Sequence, residues 1–96
     1  MLTGKQKRFL RSKAHHIQPI FQVGKGGVNS NLIKQVEEAL EARELIKVSV
    51  LQNCEDDKDT VASQLYSGSK AELVQVIGST IVLYKESINQ KRIQLP

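Results

Sequence analysis

The apolar run Ile20-Phe21-Gln22-Val23 stops at Gly24-Lys25-Gly26-Gly27, and a helical pattern begins immediately afterwards. Ile33, Val36 and Leu40 recur at helix spacing, with Asn29 or Ser30 placed to cap the first turn. "LIKVSVL", residues 45–51, then alternates Ile46, Val48 and Val50 in the manner of a strand. A strand, a helix and a second strand in this order imply a right-handed crossover and parallel neighbours in one sheet. The rest of the chain has to be built around that unit.

Upstream, Thr3 and Gln6 have capping-box spacing, and Leu10, Ala14 and Ile17 mark the buried stripe of a first helix, with Phe9 beside it. Pro19 opens the strand that ends at Val23. Downstream, "NCEDDKDT" is a loop entering a third helix that buries Val61, Ala62 and Leu65 and has Gly68 as its expected stop. "ELVQVIGSTIVLY" reads as a hairpin around the two-residue turn Gly78-Ser79. Ile81-Val82-Leu83 is apolar at consecutive positions, as in a central strand covered on both faces. The expected fold class is α/β: a single small domain, residues 1–96, in the order α-β-α-β-α-β-β, with a mixed four-stranded sheet packed by helices. Residues 87–96 are expected to form a polar tail, with isolated Ile88, Ile93 and Leu95.

A chain of 96 residues has room for one modest core. No apolar run approaches the roughly 20 residues of a membrane span, and the start turns polar at once, so neither a span nor a secretory leader is expected. Cys54 is alone, which excludes an internal disulfide and makes an inert small residue the simpler reading. The expected location is the cytoplasm, with no membrane partner. Net charge is +4, but the signs are segregated. Residues 1–36 hold seven bases and no acid, whereas residues 37–59 hold eight acids against three bases. Such segregation gives one side of the molecule the footprint of a polyanion partner.

The glycine loop falls at the carboxyl end of a strand and the amino end of a helix, where free N–H groups and the helix dipole favour an anion. Lys25 adds a full charge. Within the following helix Lys34 lies near the amino end and Glu37, Glu38, Glu41 and Glu44 crowd the carboxyl half, the reverse of what the dipole prefers. That order deepens positive potential at the loop. Nucleotide motifs fit poorly: Lys25 precedes Gly26 rather than a Ser or Thr, and Asn29 stands where a dinucleotide fingerprint needs glycine. A Gly-x-x-Gly loop also clamps the backbone of single-stranded nucleic acid in KH domains. From the motif alone, a clamp and a simple tight connection both stand.

Other residues carry less. Adjacent His15 and His16 diverge by about 100° on a helix and cannot grip one metal; one is expected to pack under the helix and the other to face a phosphate. Glu55, Asp56, Asp57 and Asp59 lack the glycine and terminal glutamate of a calcium loop and suit a helix amino terminus. The four aromatics, Phe9, Phe21, Tyr66 and Tyr84, are too few for a base-stacking platform, and Tyr84 is the one worth testing for stacking. No catalytic constellation assembles, so an enzyme, a cofactor and a small-molecule substrate are not expected.

"LTGKQKRFLRSKAHHIQPIFQVGKGG", "ALEARELIKV", "ELVQVIGSTIVLYKES" and the closing "KRIQLP" together resemble the CRM domain, the chloroplast RNA splicing and ribosome maturation module, and in particular its stand-alone bacterial YhbY-like form. The resemblance covers nearly the whole chain. It implies a fold similar to the C-terminal domain of translation initiation factor three, RNA binding, and association with precursors of the large ribosomal subunit. The family's Gly-x-x-Gly loop falls on Gly24, Lys25, Gly26 and Gly27, and its basic surface on Lys5, Lys7, Arg8, Arg11 and Lys13 of the first helix. Lys34 joins them as a candidate on charge and position. One departure is visible, since relatives often have histidine where Arg43 stands. With the resemblance, the clamp outweighs the turn-only reading. The expected function is therefore a non-enzymatic RNA-binding protein assisting assembly of the large (50S) subunit, with rRNA as partner and ribosomal proteins as further partners. The rivals are a protein-interaction module whose acidic face docks a basic ribosomal protein, and a translation factor acting on mature subunits.

Overall fold

In the computed structural model, which describes residues 2–96, seven elements follow in the expected order. They are α1 (Gly4–Ala14), β1 (Pro19–Val23), α2 (Ser30–Arg43), β2 (Leu45–Val50), α3 (Lys58–Ser69), β3 (Glu72–Ile77) and β4 (Thr80–Tyr84). Strand order in the sheet is β1-β2-β4-β3. β1 and β2 are parallel, and β4 runs antiparallel to both β2 and β3.

Helices cover both faces. Val36 and Leu40 of α2 and Val61, Ala62 and Leu65 of α3 pack with Ile46, Val48, Ile81 and Leu83 on one side. Leu10 and Ala14 of α1 pack with Leu45, Val74, Val82 and Tyr84 on the other. The consecutive apolar residues of β4 follow from this arrangement, because alternate side chains enter opposite layers and each layer is dry. Tyr84 is 4% exposed, which removes it as a stacking surface; burial, then the carboxylates of Glu44 and Glu86, raise its hydroxyl above the usual tyrosine value.

Local chemistry sets the element ends. Thr3 and Gln6 form the capping box of α1, Asn29 caps α2 by accepting from the Leu32 N–H, and Asp57 caps α3 by accepting from the Thr60 N–H. Thr60's main-chain N–H is also the chief reason the Asp57 carboxyl sits below its ordinary value. The hairpin turns at Gly78, φ +58°, with Ile77 opposite Thr80. Two expectations fail here. Ile17 lies beyond the end of α1, although it still packs in that helix's layer. Gly68 does not stop α3, which runs on to Ser69 and is capped by Lys70 in the left-handed conformation. A Cβ on Gly68 would stand 2.7 Å from Ile33 Cδ1, so the glycine is there to let α3 approach α2.

The closing stretch has no regular secondary structure but is tied to the domain. Ile93 and Leu95 pack in the α1 layer, and main-chain N–H groups of Ser87, Arg92 and Ile93 donate to the carboxylate of Glu44.

Candidate nucleic-acid interface

The glycine loop is a tight turn on the open end of β1. Gly27 N–H donates to Gly24 O at 3.0 Å, leaving Lys25 and Gly26 at the tip, both exposed. The glycines serve different needs. Gly27 has φ +67°, a conformation that favours glycine. Around Gly24 an added Cβ would make ordinary contacts at 3.6–3.7 Å with Asn53 and Leu51. At Gly26 nothing lies within 4 Å of such a Cβ and φ is not positive, so the fold places no demand on glycine there. An open, Cβ-free position beside an exposed lysine is the arrangement a phosphate needs to approach main-chain N–H groups. α2 begins three residues beyond the turn, with no acid in its first turn and Lys34 exposed on its second.

One feature of the loop was not legible in the sequence. Asp56, from the β2–α3 loop, brings Oδ2 to 3.2 Å from where a Gly27 Cβ would sit. A carboxylate therefore stands beside the turn and lowers the positive potential that the order of charges along α2 implies.

Along α1, Lys5, Arg8 and Lys13 are exposed and Lys7 and Arg11 half-buried. Lys13 Nζ lies 5.4 Å from the centre of the Phe9 ring, and Arg11 Nε is shielded from solvent without a hydrogen-bond partner among the described residues. Among the described residues the one ion pair is Lys91–Glu86, at 3.2 Å. None of the α1 cations, Lys25 or Lys34 is thus neutralised by a carboxylate. The structure does not gather them into one patch, however. α1 leads into the amino end of β1 and the glycine turn leaves its carboxyl end, so a five-residue strand, about 16 Å, separates the two. Both His15 and His16 are exposed, contrary to the expectation that one packs beneath the helix.

The acidic half of α2 also divides. Glu37 and Glu38 are exposed, but Glu44 is 0% exposed and Glu41 accepts from the Ser87 hydroxyl and from the Ile88 and Asn89 N–H groups. Burial pushes the Glu44 carboxyl up, but the N–H donors of Ser87, Arg92 and Ile93 outweigh it and hold the group below the ordinary glutamate value. Glu41 is lowered by the Ile88 N–H first, then by Asn89 and Ser87. Their chemistry is structural. The sequence signal for this role is the unfavourable order of charges along α2, which the fold uses to anchor the closing stretch.

Among the described residues no helix is long and apolar enough to cross a membrane, and no three His, Cys, Asp or Glu side chains gather as a metal site.

Residues 2–85 match the family profile of the CRS1 / YhbY (CRM) domain. The chain is 76% identical over 96 residues, the full length of both, to a Bacillus subtilis protein named "Probable RNA-binding protein YqeI". A Haemophilus influenzae protein named "RNA-binding protein" is 38% identical over 95 residues, which cover 99% of this chain and 95% of that one. Among solved structures, the solution structure of SAV1595 from Staphylococcus aureus superposes with a TM-score of 0.82 at 64% identity, covering all of both chains.

Proposed function

The chain belongs to the CRS1 / YhbY (CRM) domain family, and from that premise we propose that it is a non-enzymatic RNA-binding protein of the cytoplasm that associates with precursors of the large ribosomal subunit and assists their assembly. The glycine turn holds phosphates through main-chain N–H groups and Lys25, and the cations of α1 and Lys34 follow neighbouring stretches of backbone. The observation that supports this reading is the absence, among the described residues, of any carboxylate paired with those cations, together with the open space at Gly26, where the fold does not require glycine. Phosphate contacts position a protein without reading sequence, so selection of a precursor falls to RNA shape, a few base contacts and neighbouring ribosomal proteins. The rival, an acidic face that docks a basic protein, is weakened because Glu41 and Glu44 are occupied by the closing stretch.

The test is sedimentation of cell extract, following tagged wild type and a Lys25→Asp/Gly26→Asp variant. Open space at Gly26 and the retained Gly24 and Gly27 keep the variant foldable. Wild type is expected with particles just lighter than the large subunit, and the folded variant at the top of the gradient. A variant that sediments like wild type would reduce the loop to a connection.

A further inference from the structure

At the end of β1 opposite the glycine turn lies a groove of about 910 Å³. It exists because β2 outruns β1: Pro19 pairs with Lys47, so Leu45 and Ile46 extend past the start of the edge strand. The end of α1, the end of α2 and the closing stretch wall in the space. Ile17, Ile20 and Ile93 give it an apolar lining, and Lys13, His16, Arg43 and Arg92 surround that lining with no acid among them.

The wall formed by the closing stretch is fixed. Glu44 accepts from the Arg92 and Ile93 N–H groups, and Arg92 Nε donates to Ala42 O at 2.9 Å. Arg92 thereby caps the end of α2 with one of its five donors and keeps the others for a ligand. Arg43 and Lys13 form no ion pair among the described residues, and Arg43 is exposed on the last turn of α2. A solvated surface has no need for three isoleucines inside a ring of basic side chains.

We propose that this groove is a second RNA contact, holding an unpaired nucleotide with its base against the isoleucines and the arginine planes and its phosphates against Lys13, His16, Arg43 and Arg92. The inference rests on the RNA-binding reading above. Unstacked bases stack on arginine guanidinium planes as well as on aromatic rings, and Lys13, Arg43 and Arg92, none ion-paired among the described residues, supply the complementarity to the backbone. A duplex keeps its bases stacked inside and cannot fill the space. The groove therefore adds a contact to an unpaired base that the glycine turn, touching phosphates alone, does not make. Lys13 belongs both to the α1 face and to the groove, so a strand can pass from one to the other.

The experiment is an amide chemical-shift titration of the full chain with a single-stranded hexanucleotide, an abasic oligomer of the same length, and a short RNA duplex. The hexanucleotide is expected to shift the amides of Ile17, Ile20, Arg43 and Ile93 as well as those of Lys25 to Gly27. The abasic oligomer and the duplex should shift the loop amides and leave the groove nearly unmoved. An Arg43→Glu variant should weaken the hexanucleotide by about fivefold or more while shifts at the loop persist. Loop shifts without groove shifts would overturn the groove and leave the RNA reading standing. Equal groove shifts with the abasic oligomer would overturn the base pocket in favour of a phosphate strip. No shifts with any RNA would remove both readings.

Discussion

Glu44 has a positive φ, +67°, with ψ −33°, at the carboxyl end of α2, where glycine is the usual residue. Keeping a side chain in that sparsely populated conformation costs about 1–3 kcal/mol. The return is visible atom by atom: one carboxylate oxygen accepts from Ser87, the other from Arg92 and Ile93, and the residue's own carbonyl accepts from Lys85 N–H. Hydrogen bonds to a charged acceptor contribute about 1.5–3 kcal/mol each, so they exceed the strain. Glu44→Gly should therefore destabilise the protein by about 1–3 kcal/mol despite relieving the backbone, measured by chemical denaturation at pH 7. The same group makes stability depend on acid. Its folded value lies below the ordinary 4.5, so its contribution is complete above pH 4.5 and is lost as pH falls through the folded value. Following the Arg92 and Ile93 amide resonances from pH 7 downward should show release of the closing stretch below pH 4.5. In Glu44→Gln that transition should be missing.

At the scale of elements, the contact between α2 and α3 turns on Gly68 and Ile33. Glycine inside a helix costs about 1 kcal/mol relative to alanine, so Gly68→Ala would stabilise an isolated helix. Here the new methyl would meet Cδ1, Cγ1 and Cγ2 of Ile33 at 2.7, 3.2 and 3.4 Å, and overpacking costs about 1–3 kcal/mol. Gly68→Ala is expected to lose about 1 kcal/mol net, and combining it with Ile33→Val, which removes Cδ1, should recover most of that loss. Additive effects in the thermal unfolding of the single and double variants would show that the two helices do not meet there. The pair also marks where sequence patterns end. Periodicity placed all seven elements, because the alternation of Ile46, Val48 and Val50 and the doubly buried Ile81-Val82-Leu83 follow from local geometry and burial. Gly68 looked like a helix stop because its reason lies 35 residues away, in a side chain on another helix. Glu44 and Asp56 are similar cases: a glutamate that grips residues 87–93, and an aspartate beside a glycine on another loop, are contacts made by the fold. The glycine turn, the basic helix and the strand between them were all legible, but the sign of the charges alone could not show that the two cationic features stand at opposite ends of that strand.

For the whole molecule, the question is how a chain of net charge +4 would present itself to a polyanion while eight acids crowd one segment. Five of these acids fall into three groups. Glu41 and Glu44 are engaged by the closing stretch, Asp57 by a helix cap, and Glu37 and Glu38 are left exposed on α2. Asp56 is different, because it stands beside the proposed phosphate site. Its charge opposes an incoming phosphate, so Asp56→Asn should raise affinity for a single-stranded oligomer by about 2–5-fold at low salt. Glu37→Gln/Glu38→Gln should leave affinity equal or slightly higher, and a large loss there would instead favour an acidic docking face. Salt titration separates attraction from contact. If about 4–6 phosphates are engaged, the slope of log affinity against log salt on single strands is about −3 to −4, since each neutralised phosphate contributes about −0.7. Asp56→Asn shifts the line without changing the number of phosphates contacted, so its slope should equal that of wild type. Lys7→Ala or Lys25→Ala removes a contact and should flatten it by about 0.7. Fluorescence anisotropy at several salt concentrations resolves both changes. A flat wild-type response would mean that the unpaired cations of α1 and the glycine turn do not meet RNA phosphates.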